Sequence, residues 1–318
     1  MYKNHSKECP FITVIVNCYN SEKYLLEALS SVVAQTFQNW ELVFWDNHST
    51  DGSAEIFKSF NDPRMRYYLA PNHTSLGEAR NLAVKEATGS WVGFIDCDDI
   101  WLENKLESQQ QLIKSSNNPN LGLIYSRAGI LQNGKVVREY AQEYVGKNLP
   151  SGNILGDYLS SDNFIPLVSA LFRREFFFEV GGIPPAYRQA EDYYLFAALA
   201  EAFDVAVVQN IECLYRIHSD NLTHSQKELN YSESLSVINE FSKSKKILPR
   251  EHSAIVRRRE ILTVGSKYFQ YSGNMISKLT KSIFSMGPLL VLRFLSNHLK
   301  QLIYSRIAKP SSLLTQRF

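Results

Sequence analysis

Short unbroken apolar runs, separated by polar clusters, set the rhythm of the first half of the chain. Residues 11–17 (FITVIVN), 41–45, 65–69 and 91–96 each read as a strand, being β-branched or aromatic, too short for a helix and without a helical period. Between the first two runs the spacing changes: Leu25, Leu26, Leu29, Val32 and Val33 recur at helical intervals after a polar cap at Asn20 or Ser21. Helices are likewise expected over residues 54–60, 76–87 and 103–114, with a strand at 121–126. Such alternation predicts an α/β fold of parallel β-α-β crossovers, an open sheet flanked by helices on both faces.

After residue 128 the pattern shifts. Asn133-Gly134 marks a hairpin between residues 129–131 and 135–138. A strand over 164–172, a helix over 174–180, the Gly181-Gly182 turn and a helix over 191–202 follow, then strands at 204–208 and 213–217. From about Ser225 onward the chain is helical and basic. The division expected is a catalytic domain at 1–225 and a helical basic region at 226–318.

Charge sharpens that division. The formal net charge of +2 conceals 15 Lys/Arg against Glu251 and Glu260 in residues 243–318, about +13, while residues 1–242 hold 19 basic and 30 acidic residues, about −11. Such a tail suits an anionic partner, a lipid surface or nucleic acid. Cys9, Cys18, Cys97 and Cys213 have neither C-x-x-C spacing nor a Cys/His cluster, which argues against a disulfide framework and a zinc site. The N-terminus lacks the pattern of a signal peptide, so a cytoplasmic location is expected.

Polar residues gather where the expected strands end: Asn17, Tyr19 and Asn20, then Asp46 and Asn47, then Asp96, Asp98 and Asp99. In a parallel sheet those ends share one edge, and ligands bind in the crevice beyond it. GFIDCDD places carboxylates at i and i+2 after an apolar strand, a cluster suited to Mg²⁺ or Mn²⁺ completed by substrate phosphates. An acidic turn capping the next helix explains the same residues. Glu191-Asp192 opens an apolar helix and reads either as a reactive pair or as favourable acid placement in a first turn.

These segments, in this order, resemble the family-2 glycosyltransferases, which bind nucleotide sugars on a Rossmann-like GT-A fold. The resemblance runs from about residue 10 to 220 and rests on VIVNCYN with its following helix (Leu26, Leu29, Ser31, Gln35), WELVFWDNHSTDGS, the GEARN segment (Gly77, Ala79, Arg80, Asn81), WVGFIDCDDIW and AEDYYLFAAL. It implies a nucleotide-sugar donor contacted by Tyr19, Asn20, Asp46, Arg80 and Asp96, with Asp46 accepting an imide N–H of the base. It also implies Asp98 as the main metal ligand beside Asp96, His218 as a third ligand or phosphate contact, and Asp192 as general base with Glu191 next to it. Asp46 as the start of an Asx turn, and Arg80 paired on its helix surface with Glu78 or Glu86, are the alternatives. Asn17 stands where relatives often carry Pro or Thr, and Asn47 where an Asp is frequent.

The function this resemblance implies is inverting transfer of a sugar from a nucleotide diphosphate, UDP favoured, to the hydroxyl of a glycan or lipid-linked acceptor in cell-surface polysaccharide or glycolipid synthesis. Residues 289–307 form an amphipathic pattern with Arg293, Asn297, Lys300 and Tyr304 on one stripe, which suits peripheral binding at an anionic membrane surface; packing on the domain or an oligomer contact is the alternative. A non-catalytic scaffold that binds sugar nucleotides is disfavoured by the intact acidic pairs. Nucleic-acid binding through Arg257, Arg258 and Arg259 lacks any recognised module.

Overall fold

The computed structural model describes residues 11–219, 221, 226–271, 275–292 and 294–296. Strand β1 (Ile12–Cys18) lies between β2 (Trp40–Asp46) and β4 (Trp91–Phe94), with β3 (Met65–Leu69) outside β2, all parallel. Helices α1 (Glu22–Val33), α2 (Ser53–Lys58) and α3 (Leu76–Glu86) make the connections. Alternate side chains of β1 serve opposite faces, as the pleat requires. Val14 and Val16 pack with Leu25, Leu29 and Val32 of α1, whereas Ile15 packs with Ala79, Ala83 and Val84 of α3. Burial on both faces is why these strands read as continuous apolar runs.

Beyond β4 the sheet becomes mixed. The short β8 (Leu171–Arg173) runs antiparallel to both β4 and β6 (Leu121–Gln132), and β9 (Asp204–Ile217) is parallel to β6. Strand β5 (Ile100–Trp101) pairs antiparallel with β9, and β7 (Lys135–Glu139) forms the hairpin with β6. Its turn uses positive φ at both Asn133 (50°) and Gly134 (72°), which the Asn-Gly pair tolerates at little cost. Helix α4 (Lys105–Ser115) follows β5; α5 (Leu155–Ser160), α6 (Arg174–Glu179) and α7 (Glu191–Ala202) complete this part. Helices α8 (Lys227–Phe241) and α9 (His252–Gln270) place Val237, Ile238, Phe241, Ile255 and Leu262 in the same core as α7, and α10 (Met275–Met286) follows.

The structure corrects several expected boundaries. Residues 164–172 do not form one strand: Pro166 leads into a 3-10 turn, Leu167–Ser169, and pairing begins at Leu171. The segments at 121–126 and 129–131 are one strand, as are those at 204–208 and 213–217. The pairing of β6 with β9 runs through a bulge between Val208 and Ile211, where Gln209 exchanges hydrogen bonds with the Leu149 backbone. The two-residue β5 was not expected. Neither Asn20 nor Ser21 caps α1 through its side chain: Asp51, in the loop after β2, accepts the Glu22 N–H at 3.0 Å. Among the described residues no helix is long and apolar enough to cross a membrane. Of the expected amphipathic stripe, Arg293, Asn297, Lys300 and Tyr304 lie outside the described residues, as does Cys9.

At the amino ends of the strands a buried carboxylate ties the sheet together. Glu41 of β2 accepts hydrogen bonds from the Thr13 hydroxyl (2.7 Å), the Thr88 N–H (2.7 Å) and hydroxyl (2.9 Å), and Arg66 of β3 (2.7 Å). Burial alone would raise its pKa, but these donors outweigh it and the net shift is downward. Replacing Glu41 by Ala orphans several donors at once and should cost about 2–4 kcal/mol in denaturant unfolding. Because the native pKa is lowered, the advantage of wild type over Glu41→Gln should be full above the ordinary value of 4.5 and shrink as pH falls through the native value.

Candidate active site

The register that aligns Cys18 with Asp46 and Asp46 with Leu69 brings the carboxyl ends of the parallel strands to one edge. There a cleft of about 1110 Å³ opens, walled by the ends of β1 and β4, the starts of α3 and α7, the end of β9 and the first turn of α8. At its floor sits Arg80, with its side chain only 3% exposed, donating from Nη1 to Glu191 Oε1 (2.8 Å) and from Nη2 to Asp96 Oδ1 (2.9 Å). It does not pair with Glu78 or Glu86 on the helix surface. A planar guanidinium can serve two carboxylates arriving from different directions, which a lysine ammonium does less well.

Helix α3 is held for this task by Asn81, whose amide donates to Ile183 O (2.7 Å) and accepts from Ile183 N–H (2.9 Å). The Gly181-Gly182 turn makes that approach feasible, since both glycines have positive φ and a Cβ on Gly182 would lie 2.9 Å from Asn81 Oδ1. The GEARN motif and the glycine pair are thus two halves of one contact.

Arg80 faces more negative charge than it can offset. Burial pushes Glu191 up to about 7, with Arg80 opposing and Asp192 reinforcing the rise. Asp192 is also raised, by burial first, although Arg80, the Tyr193 N–H and Asn163 Nδ2 favour its ionised form. Glu191 Oε2 is buried with no hydrogen-bond partner, leaving one oxygen of the pair uncommitted.

On the β9 side, Asp98 Oδ2 meets His218 Nε2 at 2.7 Å and Asn221 Nδ2 at 3.3 Å. Burial and the neighbouring Asp96 raise the Asp98 pKa, and His218 opposes them. Among the described residues no three His, Cys, Asp or Glu side chains form a complete metal cage. The donor chemistry nevertheless fits a hard divalent ion that takes its other ligands from phosphate oxygens and water: two carboxylates of like charge and one imidazole face the cleft. Asp99 caps no helix; it is buried at the cleft wall beside Asp98 and accepts the Arg216 N–H at 2.8 Å. Arg216 in turn donates to Asp98 O and Glu27, so it braces the acidic loop.

At the other end of the cleft Tyr19 is half exposed, its ring 4.3 Å from the His73 ring, a flat aromatic surface suited to a base. Asn20 lines the cleft, but its Oδ1 accepts the Thr50 N–H at 2.7 Å. Asp46 is 1% exposed and lies behind the cleft: Ser49 N–H (2.7 Å) and the Tyr67 hydroxyl (2.5 Å) occupy its two oxygens, so it opens the turn of DNHS. Asn47 joins that loop to Thr74 by reciprocal bonds of 2.8 and 3.0 Å. Of the residues expected at the site, the fold therefore gathers Tyr19, Asn20, Arg80, Asp96, Asp98, Glu191, Asp192 and His218 on one cleft and leaves Asp46 beneath it. Sequence reasoning missed His73, Asn163 and Arg216, whose roles depend on packing between distant segments.

Residues 13–178, just over half of the chain, match the profile described as Glycosyl transferase family 2. The chain belongs to that family. The beta-1,3-glucosyltransferase WfgD of Escherichia coli, whose name gives UDP-Glc as donor and alpha-D-GlcNAc-diphosphoundecaprenol as acceptor, is 33% identical over 129 residues, 41% of this chain and 50% of WfgD. This family-2 chain thus spans about half the length of that relative. Among solved structures, S. aureus TarS 1-349 in complex with UDP-GlcNAc superposes with a TM-score of 0.63 at 19% identity, covering 93% of this chain and 87% of TarS 1-349. The mannosyltransferase PcManGT from Pyrobaculum calidifontis, in complex with GDP-Man and Mn2+, gives 0.61 at 18% identity, covering 94% and 82%. At these identities the likeness concerns the fold, which is the GT-A architecture expected from the sequence.

Substituting Arg80 by Ala leaves Glu191 buried without its cation and takes the partner from the half-buried Asp96. A loss of about 3–5 kcal/mol in unfolding free energy is expected at pH 8, above the Glu191 value of about 7, and a smaller loss near pH 5, where Glu191 is protonated. Arg80→Lys should recover only part of it.

Proposed function

We propose that this family-2 chain transfers a sugar from a nucleotide diphosphate, with UDP the favoured nucleotide, to an acceptor hydroxyl with inversion. The observation that carries this reading is the convergence of Asp96, Asp98 and His218 with Glu191 and Asp192 on one cleft, joined through Arg80. Tyr19 and His73 offer the base a stacking surface, and Asp96 stands between that end and the acidic loop, where a ribose or phosphate would pass.

Asp192 is assigned as the general base. It accepts the proton of the acceptor hydroxyl while the oxygen attacks the anomeric carbon, and the bond from that carbon to the diphosphate oxygen breaks on the opposite face. Its raised pKa strengthens it as a base near neutral pH, and Asn163 fixes its orientation. Glu191, locked to Arg80, holds the acceptor side through its uncommitted Oε2. Asp98, with His218 and Asp96, is the proposed seat of Mn2+ or Mg2+, which when bound would offset charge developing on the leaving diphosphate.

The finer assignments rest on separate supports. The solved neighbours carry UDP-GlcNAc in one case and GDP-Man with Mn2+ in another, and the name of WfgD joins a UDP-sugar to a lipid-linked acceptor. An acceptor held at a membrane surface agrees with the basic C-terminal region and with the exposed Leu289 and Leu292. Residues 1–225 carry the donor and base groups in this reading, and the region from 226 onward completes the cleft through Gln226 and Asn230, at the start of α8. Nucleic-acid binding through the Arg257–Arg259 cluster is weakened because Arg258 pairs with Asp162 instead of facing outward.

Titration calorimetry with UDP-, GDP- and dTDP-sugars, in Mn2+ or in EDTA, should show one donor binding in a metal-dependent way, with affinity lost at least about tenfold in Asp98→Ala. Failure of every donor under every condition would sink the proposal. Asp192→Asn should retain donor binding while turnover falls by about 10²–10⁴-fold. In wild type, turnover should rise with pH as the acidic pair loses its protons, Glu191 doing so at about 7 and Asp192 above the usual carboxylate range.

A further inference from the structure

Helix α8 lies beyond the segment that matches the family profile, yet one of its side chains holds the turn that presents the proposed base. Glu233 Oε2 accepts the N–H groups of Arg188 (2.9 Å), Gln189 (2.8 Å) and Ala190 (3.0 Å). Those amides lead into α7, whose first residues are Glu191 and Asp192, and the opening amides of a helix have no partner within it. Glu233 is 6% exposed, and its other oxygen is buried without a hydrogen-bond partner, so these three bonds are its commitment.

We infer that Glu233 is a positioning residue for the Glu191/Asp192 pair, an inference that rests on the proposed role of that pair. The turn is fixed from two sides. Arg80 holds Glu191 from the sheet side at 2.8 Å, and Glu233 holds the preceding amides from the helical side. Helix α8 is itself anchored, since Val237, Ile238 and Phe241 are buried in the core. Two turns beyond Glu233 on the same helix, Glu240 accepts the Tyr187 hydroxyl at 3.0 Å. Tyr187 stacks on Tyr194 of α7 with centroids 4.6 Å apart, so the segment before the base is clamped at both ends by α8.

A carboxylate collecting three amides sets their positions more tightly than a side chain making a single bond, and charge assistance strengthens each bond. Releasing the turn would let Asp192 drift relative to the anomeric carbon. Misplacement of a catalytic group by about 1 Å can lower rate about a hundredfold while leaving distant donor contacts intact.

The test compares Glu233→Ala, Glu233→Gln and Tyr187→Phe in the full chain. Three quantities are followed: amide hydrogen exchange at residues 188–190, affinity for the UDP-sugar that wild type binds, and the kcat for release of UDP from it. Glu233→Ala should speed exchange at those amides and lower kcat by about tenfold or more, with donor affinity within about twofold of wild type. Glu233→Gln keeps an acceptor oxygen without the charge, so it should fall between, and it serves as the decisive variant if the alanine chain does not fold. Tyr187→Phe removes the tie to Glu240 without touching the three amides, so its kcat should fall less than that of Glu233→Ala. Faster exchange with unchanged kcat in either Glu233 variant would overturn the inference, as would a kcat loss matched by an equal loss of donor affinity. Failure of the transferase reading looks different, because wild type itself would then release no UDP.

Discussion

A buried guanidinium shared by two carboxylates is the constraint on which this site depends. Arg80 sits between Asp96, at the end of β4, and Glu191, at the start of α7, and it is the cation that favours the ionised form of the buried Glu191. The elements around it satisfy this geometry. Asn81 and the Gly181-Gly182 turn fix α3 against the segment that leads to α7, and Glu233 receives the amides of that segment from the other side. What looks from outside like a cleft is, from within, a set of braces around one cation.

The electrostatic balance of the cleft is left incomplete by the protein itself. Asp96, Asp98, Glu191 and Asp192 line it, and Arg80 offsets only part of their charge. The upward shifts of Glu191, Asp192 and Asp98 are expressions of that deficit, each led by burial. The division of labour follows from position. On the β9 side, Asp98 sits against the imidazole of His218 in surroundings that favour a hard cation and phosphate. On the α7 side, the raised carboxylates are suited to hold or accept a proton. The amino ends of the strands show the opposite design, since Glu41 there is surrounded by donors and its charge is fully met within the fold. Catalytic potential and structural security therefore occupy opposite edges of one sheet.

Much of this was legible in the chain. The parallel strands announced themselves because both their faces are buried, which makes the apolar runs continuous, and α7 was readable to the residue because its acids and its apolar body meet abruptly. Residues 164–172 misled for the converse reason: an apolar run containing Pro166 turns out to be buried irregular chain, and apolar content alone does not distinguish that from a strand. Asp46 shows a different limit. Its place at the end of β2 is shared with groups that face the cleft, but Tyr67 and the Ser49 N–H claim its carboxylate.

The sequence by itself determined the order of the elements, the edge at which the polar residues collect and the family to which the chain belongs, since all three follow from local spacing and from motifs in a fixed order. Only the tertiary structure decided which acids Arg80 joins, that Asp99 and Arg216 brace the acidic loop, that His73 faces Tyr19, and that Glu233 holds the turn before α7. Those outcomes depend on distances between segments far apart in the chain, where a carboxylate takes whichever donor the folded backbone brings within about 3 Å. Periodicity carries information about which face of an element is buried, but none about which buried partner awaits it there.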